Sequence, residues 1–220
     1  MRVYHFLPSE YGLSDIALRR MKIARFGDLN DPFELLAVNV GGRKNLRNVL
    51  RSWKAELRDK KGLLCFSKKW ENPVLWSHYA ASHTGFCLGF DLNDNRVAVT
   101  EVKYSRKRIR VDFNGEPTAA DLNDDLLKTL LSTKFYDWSY EDEVRVLVDL
   151  NKHRAEGVNY FYTFSKVLVL RQVILGPECQ LPVVRVRNLI DSFYDSVDVI
   201  NARLMFKEFK VVQKKSKSKS

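Results

Sequence analysis

Strand-like and helix-like runs follow one another along this chain without regular alternation, and that irregular order limits the fold more than any motif does. Val3 to Leu7 reads as a short strand stopped by Pro8, Ser14 to Arg20 as a short helix with Ser14 at its N-cap, and Lys22 to Phe26 as a second strand. Asn30-Asp31-Pro32 then forces a turn, because the residue before a proline is pushed out of the helical region and Asn and Asp bond their own backbone. Leu46, Val49, Leu50, Trp53 and Leu57 recur at the spacing of one helical face, so Asn45 to Lys60 reads as an amphipathic helix. Gly62 to Ser67 reads as a strand, Pro73 to Ser82 as a helix and Gly85 to Leu92 as a strand, with Val97 to Tyr104 and Arg108 to Phe113 forming a hairpin beside it. Thr118 to Thr129 is expected to be a helix capped near Thr118, and Glu143 to Leu150, Val158 to Phe164 and Val167 to Leu175 to be strands. Leu181 to Tyr194 should be a helix and Ala202 to Gln213 a final extended segment. A doubly wound fold needs strand and helix in turn. This order predicts instead an α+β fold, a mixed, mainly antiparallel sheet with flanking helices in a single domain.

With 220 residues, 45% of them hydrophobic, the chain can bury a full core, and residues 1–206 are expected to form that domain. No apolar run approaches the ~20 residues of a membrane-spanning helix, and MRVYHFLPSE lacks the apolar centre and cleavage site of a signal peptide. The expectation is a soluble, cytoplasmic protein with no membrane partner. Cys65, Cys87 and Cys179 have no paired spacing, which suits buried thiols in a reducing compartment. The formal charge of +10 is unevenly spread. From Lys207 to Ser220 six lysines stand against Glu208 alone, so half of the excess lies in a lysine- and serine-rich tail, 207–220, whose SKSKS end is expected to be disordered. The other basic clusters are Arg43 to Arg58, on the amphipathic helix, and KYSRKRIR, where Lys103, Arg106, Lys107, Arg108 and Arg110 offer contacts to nucleic acid or another polyanion. A solvated face is the plainer reading of such a cluster.

The stretch CFSKKWENPVLWSHYAASHTGFCLGFD, from Cys65 to Asp91, gathers aromatics, two histidines and two cysteines between two strands. It is expected to line part of any site, with FYDWSYEDEVRVLV and the DLNDPFE turn as its neighbours. GFCLGF lacks the third glycine of a dinucleotide fingerprint, and no phosphate loop of the Walker type is present. The five-residue step between His78 and His83 separates them on a helix, so no metal site is expected. No GxSxG motif accompanies Ser77-His78, which argues against a hydrolytic triad. The carboxylates are more telling. Strand alternation would turn Glu141, Glu143 and Arg145 to one face and Val144 and Val146 to the other. That gives either an ion pair on an exposed strand face or a carboxylate held by arginine, flanked by Trp138 and Tyr140 and fit to steady a developing positive charge.

LNDPFE, LLCFSKKWENPVLWSHYAASHTGFCLGFD, WSYEDEVRVLV and VILGPEC, in this order, resemble the bacterial family catalogued as domain of unknown function 2971, from about Tyr4 to about Leu189. That family implies no activity. A second resemblance lies in the layout: Tyr4-His5 on the first strand, a short helix, a strand near Lys22, and a late acidic pair at Glu141 and Glu143 are similar to ADP-ribosyltransferase folds, including DNA-modifying and abortive-infection toxins. This resemblance implies NAD as substrate, His5 at its ribose, Tyr79 or Phe90 stacking near the nicotinamide, and Glu143 or Glu141 in catalysis. The candidate ligand contacts are then Tyr4, Asp31, Glu34, Trp76, His78, Tyr79, His83, Phe90, Trp138, Tyr140 and Arg145. For Trp76, Tyr79 and Phe90 the plainer reading is core packing, and for His5 a satisfied core histidine. The function expected is an NAD-using ADP-ribosyltransferase-like effector, in phage defence or a toxin system. The alternative is a non-catalytic nucleic-acid-binding or sensor module working through KYSRKRIR and the lysine tail.

Overall fold

Pro8 ends the first strand, β1 (Arg2–Leu7), and stands at the N-cap of the first helix, α1 (Ser9–Leu18). The fixed φ of proline serves both purposes, so the helix starts earlier than its sequence suggests and Ser14 lies inside it rather than at its cap. The other elements are β2 (Arg20–Arg25), α2 (Lys44–Lys60), β3 (Lys61–Ser67), α3 (Pro73–Tyr79), β4 (Phe86–Leu92), β5 (Val99–Glu101), β6 (Lys103–Ser105) and α4 (Asp124–Leu131). They continue with β7 (Thr133–Phe135), a 3-10 turn at Tyr136–Glu141, β8 (Glu143–Asp149), β9 (Arg154–Glu156), β10 (Asn159–Thr163), β11 (Leu168–Leu175), α5 (Val183–Asp191), β12 (Asp198–Leu204) and β13 (Val211–Gln213). The computed structural model describes residues 1–93, 95–111, 118, 121 and 123–215. Helices and a mixed, mainly antiparallel sheet make the chain α+β.

The described residues fall into two compact units that interleave in sequence. One gathers Met1–Met21, Phe66–Val97 and the chain from Thr163 onward; the other gathers Lys22–Cys65 and Ala98–Tyr162. In the first unit β4 is the centre. It runs antiparallel to β1, with Arg2 opposite Asp91 and Leu7 opposite Phe86, and antiparallel to β11, which slips by one residue between Leu170 and Gln172. β11 runs parallel to β12 through α5, and β12 turns back antiparallel into β13. Packing is close where glycine stands: a Cβ on Gly176 would lie 2.1 Å from the carbonyl oxygen of His83, and one on Gly85 2.3 Å from that of Leu7.

The second unit packs α2 and α4 around Phe26, Leu35, Val38, Leu46, Leu50, Leu57, Leu63, Leu127 and Leu130. Its strands pair as β2 with β3, β5 with β8, β9 with β10, all antiparallel, and β6 with β7 in parallel. The hairpin expected beside Gly85–Leu92 does not form. Val99–Glu101 pairs with β8, Lys103–Ser105 pairs with β7, and Ile109 bridges to Val38, because the tyrosine and the basic run are recruited by partners distant in sequence. The expected helix at Thr118–Thr129 begins at Asp124, where Asn123 rather than Thr118 is the cap and accepts the backbone N–H of Leu126 at 3.0 Å. Part of that expected helix, the end of Arg108 to Phe113 and the SKSKS terminus lie outside the described residues. The expected helix at Pro73–Ser82 stops at Tyr79, since Ala81, Ser82 and His83 take left-handed φ values of 45°, 52° and 72°.

Candidate functional site

The second unit buries five charged side chains in one chain of contacts. β8 supplies Glu143 and Arg145; both of its faces are buried, which replaces the exposed ion-pair face that alternation allowed. Arg145, 1% exposed, donates from Nε to Oε1 of Glu143 at 2.8 Å and from Nη2 to Oε2 at 2.9 Å. The other edge of the same guanidinium makes a bidentate pair with Glu34, at 2.8 and 2.9 Å, and Nη1 also donates to the carbonyl of Leu131 at the end of α4. Lys134, on β7, donates to Oε2 of Glu143 at 3.2 Å and to Oε2 of Glu141 at 2.5 Å. Glu141 is not on the strand at all. It ends the 3-10 turn, and Asp142, with φ 44°, brings the chain through the left-handed region before β8 begins.

Opposing effects set the charges. Burial by itself would protonate Glu143, but the charges of Arg145 and Lys134 outweigh it and hold the carboxyl at about 2. Burial likewise would deprotonate Lys134 and Arg145, and the carboxylates around them raise both instead. For Glu34 burial prevails over Arg145 and the carboxyl is raised. Burial, then the charge of Glu143, pushes the Cys65 thiol well up, and that thiol donates to Glu143. The Tyr104 hydroxyl, raised by burial to about 12, accepts the backbone N–H of Glu143 at 2.8 Å. Both oxygens of Glu143 are therefore engaged, and the residue acts as a clamp between β8, β7 and β6.

The clamp shapes an open cleft of about 230 Å³ lined by Phe33, Ala37, Ser105, Arg106, Lys107, Arg108, Thr133, Lys134 and Phe135. Several of its lining residues stand close in sequence to clamp residues. Phe33 precedes Glu34 in an Asx-turn, where its N–H donates to Oδ1 of Asp31 at 2.9 Å. Phe135 follows Lys134, and Arg106 lies two residues beyond Tyr104. The hydroxyl of Ser105 closes the basic turn, accepting from the N–H of Lys107 and donating to its carbonyl. Two arginines lie over aromatic rings, Arg106 at 4.1 Å from the Tyr136 centroid and Arg108 at 4.9 Å from that of Phe33, while Lys134 is 4.8 Å from that of Trp138.

Of the residues singled out from sequence, the second unit brings together Glu34, Glu141, Glu143 and Arg145 in the clamp, with Asp31 shaping its turn and the Trp138 ring tilted against that of Tyr140. Arg106, Lys107 and Arg108 line the cleft; Lys103 and Arg110 are exposed and outside its lining. Tyr4, His5, Trp76, His78, Tyr79, His83 and Phe90 are residues of the first unit. Trp76 and Phe90 are fully buried, Trp76 donating from its indole to the carbonyl of Trp70, so a ligand would have to open the core to reach either. Tyr4 lies over Gly89, its ring 3.2 Å from where a Cβ would stand, and His5 meets Phe66 edge-on. His78 is exposed in the last turn of α3. Sequence reasoning missed Lys134, and gave no role to Tyr104, inside KYSRKRIR, or to Cys65, at the start of the stretch expected to line a site. Two acids and one arginine on a buried strand call for a further cation, and the lone lysine in STKFYDW was the signal for it. Among the described residues no group of three or more His, Cys, Asp or Glu is placed to hold a metal ion.

A family model described as "Protein of unknown function (DUF2971)" matches residues 75–146. The resemblance to that family holds over this segment. It covers about a third of the chain and includes KYSRKRIR, Lys134 and the Glu141–Arg145 run, while LNDPFE and VILGPEC lie outside it. No curated protein and no solved structure matches the chain. The DUF2971 description carries no activity.

Proposed function

We propose that the second unit binds single-stranded nucleic acid, taking a phosphate on Arg106, Lys107 and Arg108 and stacking a base on the aromatics of the same cleft. The observation that carries this reading is the interleaving of cations and rings at the cleft: Arg108 lies over Phe33, with Phe135 in the same lining, and Arg106, also in the lining, lies over Tyr136, the next residue after Phe135. Guanidinium groups already held over rings have less side-chain freedom to lose on binding, and stacking on aromatics tolerates any base. A cleft of about 230 Å³ is below the ~300–1,000 Å³ of drug-sized sites and suits one nucleotide unit of a strand rather than a duplex.

NAD shares the phosphate and the planar base, so it belongs in the same titration. A transferase reading also needs Glu143 or Glu141 at the ligand, and both are buried and paired with Lys134. The weight therefore falls on binding rather than turnover. The test is fluorescence anisotropy of a labelled single-stranded oligonucleotide over a salt series, in wild type and in Arg106→Ala/Lys107→Ala/Arg108→Ala. Loss of the one phosphate held by these three side chains should flatten the slope of log K against log salt by about 0.7. An unchanged slope in the variant would end the proposal. Nicotinamide release from NAD, abolished in Glu143→Ala, would carry the transferase reading instead.

A further inference from the structure

Phe206 and Phe209 are 95% and 99% exposed, on the turn between β12 and β13 in the first unit. Their exposure is built in rather than accidental. The N–H of Met205 donates to the carbonyl of Lys210 at 2.9 Å and the N–H of Lys210 to that of Glu208 at 2.8 Å, which closes the turn. Val211, just beyond it, is fully buried and donates its N–H to the carbonyl of Glu71. A turn fixed at both ends therefore presents two phenylalanines to solvent. Around them stand Arg203, whose guanidinium lies 5.5 Å from the Phe206 ring centroid, and the exposed Lys207 and Lys210, of which Lys210 is ion-paired with Glu208, the acid of the turn, at 2.5 Å.

We infer that this turn is a peripheral anchor for an anionic lipid surface, Phe206 and Phe209 entering the headgroup boundary while Arg203, Lys207 and Lys210 meet lipid phosphates. Area decides between lipid and a protein partner. Two phenylalanines offer about 300–500 Å², short of the ~600 Å² that each partner contributes to even a small specific interface burying ~1,200 Å² in total. A bilayer accepts a point insertion of that size. Neither signal suffices alone, and an apolar contact combined with cations gives weak, reversible attachment. β13 does not supply a pairing edge for a second copy, being three residues long and followed by Lys214 and Lys215. Apolar run length gave no membrane partner from sequence, and among the described residues no helix is long and apolar enough to cross a membrane. A four-residue turn is invisible to both criteria.

The test is co-sedimentation of the full chain with phosphatidylcholine vesicles, with and without phosphatidylserine, for wild type, Phe206→Ser/Phe209→Ser and Lys207→Gln/Lys210→Gln. Wild type should bind the anionic vesicles. The phenylalanine variant should lose about 100-fold in partitioning, taking ~10-fold per ring, and the lysine variant about fivefold per lysine removed. A Phe209→Trp variant should shift its emission to the blue and be quenched by brominated lipid. Both rings are in solvent, so an unchanged thermal melt will exclude misfolding. The proposal falls if wild type ignores anionic vesicles. It falls equally if the phenylalanine variant binds as wild type while the lysine variant does not, which is plain polyanion attraction. A phenylalanine variant that only converts a dimer into a monomer would identify a protein interface and overturn it too.

Discussion

Replacing Arg145 by methionine should remove much of the stability of the second unit. The guanidinium makes five hydrogen bonds, two to Glu34, two to Glu143 and one to the carbonyl of Leu131, and methionine can replace its volume but none of these. Glu143 keeps Lys134, whereas Glu34 loses both guanidinium donors with its carboxyl still buried. Breaking a buried pair by removing one partner costs about 3–5 kcal/mol, a large share of the ~5–15 kcal/mol that holds a typical protein folded. Urea unfolding followed by tryptophan fluorescence reads this, since Trp53 and Trp138 lie in the second unit and Trp70 and Trp76 in the first. Glu34→Leu/Arg145→Met removes the stranded acid together with its partner, and should be more stable than the sum of the single variants by about 1–3 kcal/mol. An Arg145→Met protein within about 0.5 kcal/mol of wild type, or a double variant that is merely additive, would refute the idea that the five charges form a compensated clamp.

Two further outcomes follow from the same structure. Glu143 sits at about 2 in the fold against an ordinary 4.5, so its contribution is complete above 4.5 and is lost as pH falls toward 2. At about 1.4 kcal/mol per pH unit this is about 3 kcal/mol. Glu34, raised by burial, works in the opposite sense and softens the acid limb. Lys134, raised above 10.5, contributes fully below that value and fades as pH rises through its folded value, and Tyr104, raised to about 12, adds to the alkaline loss. Urea midpoints measured across both limbs should fall at each end; a flat acid limb would contradict the assignment of Glu143. In the first unit, Gly176→Ala must move the backbone at His83 or its own, and a loss of about 1–3 kcal/mol is expected. A thermal melt identical to wild type would show that this contact yields freely.

Local periodicity made much of the fold legible. α2 was read almost to the residue because Leu46, Leu50 and Leu57 face one core, and β1, β3, β4, β8 and β11 because apolar runs bounded by proline, glycine or polar turns rarely fold otherwise. The turn at Asp31 was legible for a chemical reason, its side chain accepting the N–H of Phe33 as an Asx-turn does. What was hidden is long-range. Nothing in KYSRKRIR says that Lys103–Ser105 will lie parallel to Thr133–Phe135, and that pairing is what puts the basic turn beside Phe135. Glu143 and Arg145 meet as strand alternation predicts, whereas Glu141 joins them from the 3-10 turn through Lys134, and the burial of all three depends on Glu34 arriving from more than a hundred residues away and on Lys134. Phe206 and Phe209 looked like part of an extended strand, and only the closed turn exposes them.

Ultraviolet crosslinking of a single-stranded oligonucleotide to the full chain, with the crosslinked peptides identified by mass spectrometry, tests the proposed cleft most directly. The aromatic rings that would stack the bases are Phe33, Phe135 and Tyr136, so crosslinks should fall on the peptides that carry them and disappear in Arg106→Ala/Lys107→Ala/Arg108→Ala. Crosslinks confined to Lys207–Ser220, unaffected by that variant, would place polyanion binding in the lysine-rich terminus and contradict a site in the cleft.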